Sequence, residues 1–139
     1  MISPPPRSVA ADANVLLSAA VGGAAARVFS DTDLDVVTTE EVLAEVREHL
    51  GALAEKVGLA PEEAGKYLGA LPIRAYPEAV YKARMSEARR HMADRDPDDA
   101  GLAALALHLE IPVWSNDKDF QAVPVELFPT AKLLKVLGL

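Results

Sequence analysis

The sequence predicts an α/β protein in which a central parallel β-sheet is covered by helices on both faces, a three-layer sandwich. Short aliphatic runs alternate with longer helical segments along all 139 residues, which is typical of successive β–α–β units. The length fits one domain, residues 1–139, and the only linker-like stretch is the proline run at 4–6. Acidic residues also follow several predicted strands, where ligands bind in such sheets.

Five short runs rich in aliphatic residues are the predicted strands. They are SVAAD (8–12), LDVVT (34–38), IRAY (73–76), IPVWS (111–115) and VELF (125–128). Pro72 and Pro77 flank the third run and suit an edge strand. Helices are predicted at 14–20, 24–30, 41–53, 60–71, 78–93, 97–109 and 130–139. Pro61 falls in the first turn of its helix, and Thr130 is the expected N-cap of the last one.

Composition excludes several classes of site. The chain has no Cys, so disulfides, thiolate catalysis and thiolate metal sites are excluded, and a metal would be bound by oxygen or by the three His residues. The start, MISPPPR, has no cationic segment followed by an apolar run, and no stretch approaches 18 apolar residues. We therefore expect a soluble cytoplasmic protein with no membrane segment.

The net charge of −7 argues against simple counter-ion-driven binding of nucleic acid. The cations are unevenly distributed, however, because six of the fourteen lie within residues 74–95. They are Arg74, Lys82, Arg84, Arg89, Arg90 and Arg95. This stretch is either a local basic face or a solvated helix face balanced by Glu78 and Glu87.

Acidic side chains from distant segments are predicted to meet at the carboxyl ends of the strands. Asp12 closes the first strand, Asp117 and Asp119 follow the fourth, and Asp99 lies in the helix before it. Helical projection places Glu45 nearer the apolar stripe of its helix than its acidic neighbours. Each acid also has an ordinary structural explanation as a cap, a turn residue or a boundary residue. Their convergence favours a cation site, because carboxylates at short range repel unless cations lie among them.

Oxygen-only sites of this kind suit the hard ions Mg²⁺ and Mn²⁺. Such ions activate water and neutralise phosphoryl charge. The pattern therefore favours metal-dependent hydrolysis of phosphodiester bonds.

Three segments carry a resemblance to a known family: ADANVLLSA, TTEEVLAEV and DPDDAGLAALALHLEIPVWSNDKDF. In their order and spacing the sequence resembles PIN-domain nucleases, which include the VapC-type toxin ribonucleases. The resemblance covers nearly the whole chain and implies a five-stranded parallel sheet of order 3-2-1-4-5. It implies Mg²⁺ or Mn²⁺ bound by Asp12, Glu45, Asp99, Asp117 and Asp119, of which the first four are the expected catalytic residues.

The resemblance also implies a function and partners. The expected activity is that of an endoribonuclease cleaving RNA, with a toxin–antitoxin role, an antitoxin protein as partner and a homodimeric state. A helical hairpin at 52–71 has apolar area to cover, so it is a candidate dimer or antitoxin surface, and charging Leu68 is the corresponding test.

The assignment of the third acid depends on the register of its helix. With Asp96 as N-cap and Pro97 at the first helical position, Asp99 projects toward the small residues Ala103 and Ala106. Asp98 points about 100° away, toward Leu102 and Leu105. We therefore predict Asp99 as the metal ligand, while Asp94 is expected to be a solvated loop residue.

Other functional classes fit less well. One class of phosphotransfer fold needs a second aspartate where this sequence has Asn14, and another needs a phosphoacceptor aspartate where it has Tyr76. The segment VGGAAA lacks the spaced glycines of a dinucleotide-binding site. Ser115 has two explanations: it hydrogen-bonds the attacking water or a phosphate oxygen, or it is a turn serine at the end of a strand. The remaining alternative is a non-catalytic metal- or RNA-binding module that acts through protein partners.

Overall fold

The computed structural model describes residues 4–93, 95 and 99–139, and they build one five-stranded sheet. The strands are β1 (Ser8–Ala11), β2 (Asp35–Thr39), β3 (Ile73–Tyr76), β4 (Val113–Trp114) and β5 (Leu127–Phe128). All neighbours pair in parallel, in the order β3-β2-β1-β4-β5. The predicted fold class and strand order are confirmed, including the edge position of β3. The last two strands are only two residues long, shorter than predicted.

Seven helices join these strands in the described part of the chain. They are α1 (Ala13–Ala20), α2 (Glu40–Lys56), α3 (Pro61–Ala70), α4 (Glu78–Tyr81), α5 (Met85–His91), α6 (Ala100–Leu109) and α7 (Thr130–Leu137). Shorter 3-10 helices occupy Ala24–Ser30, Lys118–Ala122 and Lys82–Arg84, and the last of these interrupts the continuous helix that was predicted at 78–93. Each half of the interrupted segment packs separately against α6.

The strand order reverses between β3 and β4, and this reversal distributes the helices between two layers. Successive right-handed crossovers place α1, α2 and α3 on one face, where they pack against one another. After the reversal the connection crosses the other face, so α6 covers β1 and β2, with α4 and α5 outside it. The point of reversal lies between the carboxyl ends of β1 and β4, which is where such sheets bind ligands.

Helix α6 is buried on nearly all sides, because it lies between the sheet and the α4–α5 layer. Leu102 and Leu105 are as fully buried as Ala103 and Ala106. A helix with two buried faces has no single apolar stripe. Projection therefore does not distinguish a sheet-facing acid from its neighbour at the start of this helix, so the choice of Asp99 over Asp98 stays a prediction.

The start of α7 is bonded to the loop after β4. Thr130 is its first residue, and Pro129 occupies the N-cap position that was predicted for Thr130. The Thr130 backbone N–H instead donates to Asn116 Oδ1 at 2.8 Å, while its hydroxyl accepts from Trp114 Nε1 at 3.0 Å. The prediction was wrong because a side chain from another segment supplies the cap.

The α2–α3 hairpin exposes different residues from those predicted. Leu68 is only 8% exposed and belongs to the core, so charging it would disrupt the packing of α3. The large apolar side chains that this hairpin does expose are Val57 and Tyr67.

Among the described residues, no single helix is long and apolar enough to cross a membrane. The helices Ala13–Ala20 and Ala24–Ser30 would together be long and apolar enough, but they meet at a bend of 85°.

We expect Thr130→Val to lower the free energy of unfolding by about 1–3 kcal/mol, because it leaves the buried Trp114 N–H without an acceptor. Urea unfolding measures this change, and Trp114 is the sole tryptophan, so its fluorescence reports the site directly. Thr130→Ser is the matched control, since it keeps the hydroxyl. Equal stability of the Val and Ser variants would contradict the role of this hydrogen bond.

Candidate active site

Asp12 lies at the point where the strand order reverses, directly after β1. Its backbone N–H donates to Trp114 O at 3.2 Å, which joins the end of β1 to β4. On the other side, the Thr38 hydroxyl donates to Ala11 O at 2.8 Å and joins β1 to β2. The carboxylate is thus held at the centre of the carboxyl edge of the sheet.

Two hydrogen bonds orient the Asp12 side chain, which is only 7% exposed. Asp12 is the N-cap of α1, and its Oδ1 accepts from the Val15 N–H at 3.0 Å. Its Oδ2 accepts from the hydroxyl of Ser115, the first residue after β4. The capping role that the sequence offered for Asp12 is therefore observed, and the same side chain lies at the edge where the sequence predicted a site.

Burial raises the pKa of Asp12, and the nearby charge of Asp117 raises it further. The hydrogen bonds from Ser115 and Val15 act in the opposite direction and offset part of the rise. The charged form is therefore less favoured here than in water. A cation beside this carboxylate would restore the charged form.

Ser115 connects Asp12 to the two acids that follow β4. Its Oγ donates to Asp12 and accepts from the Asp117 N–H at 2.9 Å. Asp117 in turn caps the next 3-10 helix by accepting from the Asp119 N–H at 2.9 Å. These bonds bring Asp12, Asp117 and Asp119 to one side of the carboxyl edge.

A second group of acids lines a cleft of about 330 Å³ beside the end of β2. Glu45 is exposed there, together with Glu41 and Glu48. Projection placed Glu45 apart from the other two, but positions four and three residues apart share one helix face, so all three reach the cleft. Gly101 and Leu102 of α6 form the opposite wall.

Asp99 is half-buried and directly precedes α6, two residues before the cleft wall at Gly101. In the described residues α6 begins at Ala100, and the Asp99 backbone is already helical, with φ −82° and ψ −8°. The predictions for Asp94, Asp96, Pro97 and Asp98 lie outside the described residues. Asp99 therefore lies beside the first turn of α6, which forms one wall of the cleft.

Tyr81 is a contributor to this edge that the sequence did not reveal. Its side chain is 2% exposed, and its hydroxyl is hydrogen-bonded to the side chain of Thr39, the N-cap of α2. Burial raises the pKa of Tyr81, so the hydroxyl stays protonated at neutral pH. A Cβ at Gly101 would lie 3.8 Å from this hydroxyl oxygen and 3.9 Å from Glu41 Oε2. Tyr81 thus fixes the start of the helix carrying Glu45 against the start of α6.

The five predicted ligands divide into two neighbouring groups. Asp12 and Asp117 are hydrogen-bonded to Ser115, and Asp119 is hydrogen-bonded to Asp117. Glu45 instead lines the cleft, and Asp99 directly precedes the helix that forms its opposite wall. Within the described ranges, no group of three or more Asp, Glu or His side chains is placed to hold a metal ion. The donors do fit a hard divalent cation in kind, because the buried Asp12 carboxylate and Asp117 offer only oxygen and share uncompensated negative charge.

We expect Asp12→Asn to raise the free energy of unfolding at pH 7 by about 0.5–2 kcal/mol, the usual size of a single stabilising substitution. The amide still accepts from Val15 N–H, and it removes the cost of a buried charge. Because folding raises the pKa of Asp12, wild-type stability is lost as pH rises through that pKa, and the Asn variant escapes this loss.

Urea unfolding between pH 4 and pH 7 provides the measurement: the advantage of Asp12→Asn should grow with pH. Asp33→Asn, at an exposed position, is the control and should show no such trend. A variant less stable than wild type at pH 7 would mean that burial does not dominate at Asp12.

Comparison with known proteins agrees with this fold. The PIN domain family matches residues 10–136. Among solved structures, the chain is similar to a chain in the crystal structure of VapBC2 from Rickettsia felis bound to a DNA fragment from their promoter. The TM-score is 0.66 at 14% identity, over 87% of this chain and 97% of that one. No curated protein matches the sequence. The match along nearly the whole sequence confirms the resemblance, and the chain belongs to the PIN-domain family.

Proposed function

We propose that this protein is an endoribonuclease of the VapC type that hydrolyses RNA phosphodiester bonds and depends on Mg²⁺ or Mn²⁺. The observation that carries the proposal is the buried Asp12 carboxylate at the point where the strand order reverses, where its charge is disfavoured by burial and by Asp117. Acids with only a structural role are usually placed so that their negative charge is not buried beside another. A cation-binding site, in contrast, places carboxylates together.

The proposed ligands are Asp12, Glu45, Asp99, Asp117 and Asp119, the first four being catalytic. When bound, the divalent ion supplies a nucleophile from water and neutralises charge on the phosphoryl group. Asp12 contributes a carboxylate held in place by Val15 N–H and the Ser115 hydroxyl. Glu45 and Asp99 contribute from the cleft side, where an RNA strand would enter.

Asp12→Asn and Asp99→Asn are expected to abolish metal-dependent cleavage of RNA, because each removes a charged oxygen ligand. Asp98→Asn is expected to leave cleavage largely intact. The measurement is gel analysis of a mixed set of RNAs with Mn²⁺, with Mg²⁺ and with chelator. Activity lost in Asp98→Asn and kept in Asp99→Asn would reverse our assignment of the third acid, while equal activity of wild type, Asp12→Asn and Asp99→Asn would refute the metal-nuclease proposal.

Ser115→Ala tests whether the orientation of Asp12 matters. Loss of the hydroxyl frees one Asp12 oxygen and the Asp117 N–H, and losses of supporting hydrogen bonds typically reduce metal affinity or activity 10–100-fold. We expect a higher Mn²⁺ concentration at half-maximal cleavage, together with a smaller Mn²⁺-induced rise in thermal midpoint. Ser115→Thr keeps the hydroxyl and should retain most of both effects. An unchanged Mn²⁺ dependence in Ser115→Ala would show that Ser115 is only a turn residue.

The proposal includes two protein contacts, an antitoxin and a second copy of the chain. The similarity to a chain in the VapBC2 structure supports an antitoxin partner. The exposed Val57 and Tyr67 offer apolar area on the α2–α3 hairpin for self-association. Sedimentation of wild type and Tyr67→Glu measures the mass of each in solution. The added charge weakens self-association only if the two copies contact each other through the hairpin.

A second candidate is a non-catalytic binding module of the same fold. It is favoured by one observation: within the described residues the acids form two groups and not one metal cluster. The cleavage assay separates the two functions, because a module would bind RNA or protein and leave RNA intact with every metal.

A further inference from the structure

Positive charge in this acidic protein is concentrated in one stretch. Residues 74–95 contain six Lys or Arg residues against three Asp or Glu residues, whereas the whole chain carries a net charge of −7. The remainder of the chain is therefore more acidic than the average suggests. A polyanion would therefore meet less repulsion near this stretch than near the acidic remainder of the chain.

Two of the exposed cations of this stretch, Arg89 and Arg90, lie on the outer face of α5. Ala88 and Met92 are buried against α6, which turns Arg89 and Arg90 toward solvent. The acid of this helix is already engaged, because Glu87 Oε2 lies 2.8 Å from Arg84 Nε and its Oε1 lies 3.9 Å from His91 Nε2. Within the described residues, no ion pair within 4.0 Å involves Arg89 or Arg90.

Helix α5 runs toward the edge of the sheet that carries the candidate site. Arg84 and Glu87, at its start, line a cleft with Pro112 and Glu126, which precede β4 and β5 and so mark the amino edge. The helix packs along α6, whose first turn lies at the carboxyl edge beside Thr39. The outward arginines near the end of α5 are therefore displaced toward the carboxyl edge, and Arg95, also exposed, comes four residues before Asp99.

We propose that Arg89 and Arg90, with Arg95 beyond them, bind the phosphate backbone of single-stranded RNA and direct it to the cleft at Glu45 and Asp99. This inference rests on the proposed function and assigns its substrate-binding face. Arginine suits the role because its planar guanidinium makes paired hydrogen bonds to phosphate oxygens. The acidic surface elsewhere repels the strand and leaves this face as the favourable approach.

The test measures RNA affinity without cleavage. Asp12→Asn protein in chelator is titrated into a fluorescein-labelled single-stranded 12-mer RNA at several salt concentrations, with and without Arg89→Gln and Arg90→Gln. Each phosphate contact to a single strand contributes about 0.7 to the slope of log Kd against log salt. We expect the double substitution to lower the magnitude of that slope by about 1.4 and to weaken binding on the order of tenfold near 0.1 M salt.

Matched variants control for net charge and for shape. Lys56→Gln with Lys66→Gln removes the same charge from exposed positions on α2 and α3 and should leave the slope unchanged. Arg89→Lys with Arg90→Lys should restore most of the slope, because it restores the charge. Equal slopes for the Arg→Gln and Lys→Gln pairs, or no RNA binding by the parent protein, would overturn the proposal. The proposal would also be overturned if polyglutamate displaced the labelled RNA as effectively as unlabelled RNA does. The face would then bind an acidic protein segment.

Failure of this inference and failure of the proposed function give different results. If wild type cleaves RNA with Mn²⁺ but the Arg→Gln pair and the Lys→Gln pair bind RNA alike, Arg89 and Arg90 are not the RNA-binding face. The nuclease proposal then stands. If the slope falls as expected but wild type cleaves nothing, the face binds RNA and the nuclease proposal fails.

Discussion

The hydrogen bond between Ser115 and the buried carboxylate of Asp12 crosses the point where the strand order reverses, and the carboxyl edge of the sheet is organised around it. On one side, Asp12 caps α1 and is joined through its backbone to Trp114. On the other, Ser115 N–H donates to Phe128 O and its hydroxyl accepts from Asp117. One side-chain contact thus links the ends of β1, β4 and β5 at the place where a ligand would bind.

Consecutive side chains at the end of β4 and in the loop after it are each held by a hydrogen bond. Trp114 donates to Thr130, Ser115 to Asp12, and Asn116 accepts from the first N–H of α7, while Asp117 caps the following 3-10 helix. This explains why a strand of only two residues is enough at β4. Side-chain bonds hold the segment that strand pairing alone would leave loosely placed, and they fix Asp117 beside Asp12.

The sequence predicted those features that depend on local pattern and on the rule for parallel sheets. Alternating runs were enough for the fold class and five strands, and the strand-end rule was enough to single out Asp12. Contacts between distant segments were not predictable: Ser115 and Asp12 are 103 positions apart, and the burial of Tyr81 against Thr39 depends on how α4 packs. The register at Asp99 could not be read either, because α6 is apolar on every side.

The acidic edge and the basic face are close enough to act on one ligand yet distinct enough to keep opposite potentials. Packed helices lie about 8–10 Å apart, so the axis of α5 lies about one Debye length from the axis of α6 at physiological salt. A strand of RNA on Arg89 and Arg90 would therefore respond to local charge more than to the net charge of −7. At the edge itself the sign is reversed, and Asp12, Asp117 and the glutamates of α2 would repel a phosphate. A multivalent cation would neutralise that edge, so under the proposed function the approach of RNA and the binding of metal would be coupled.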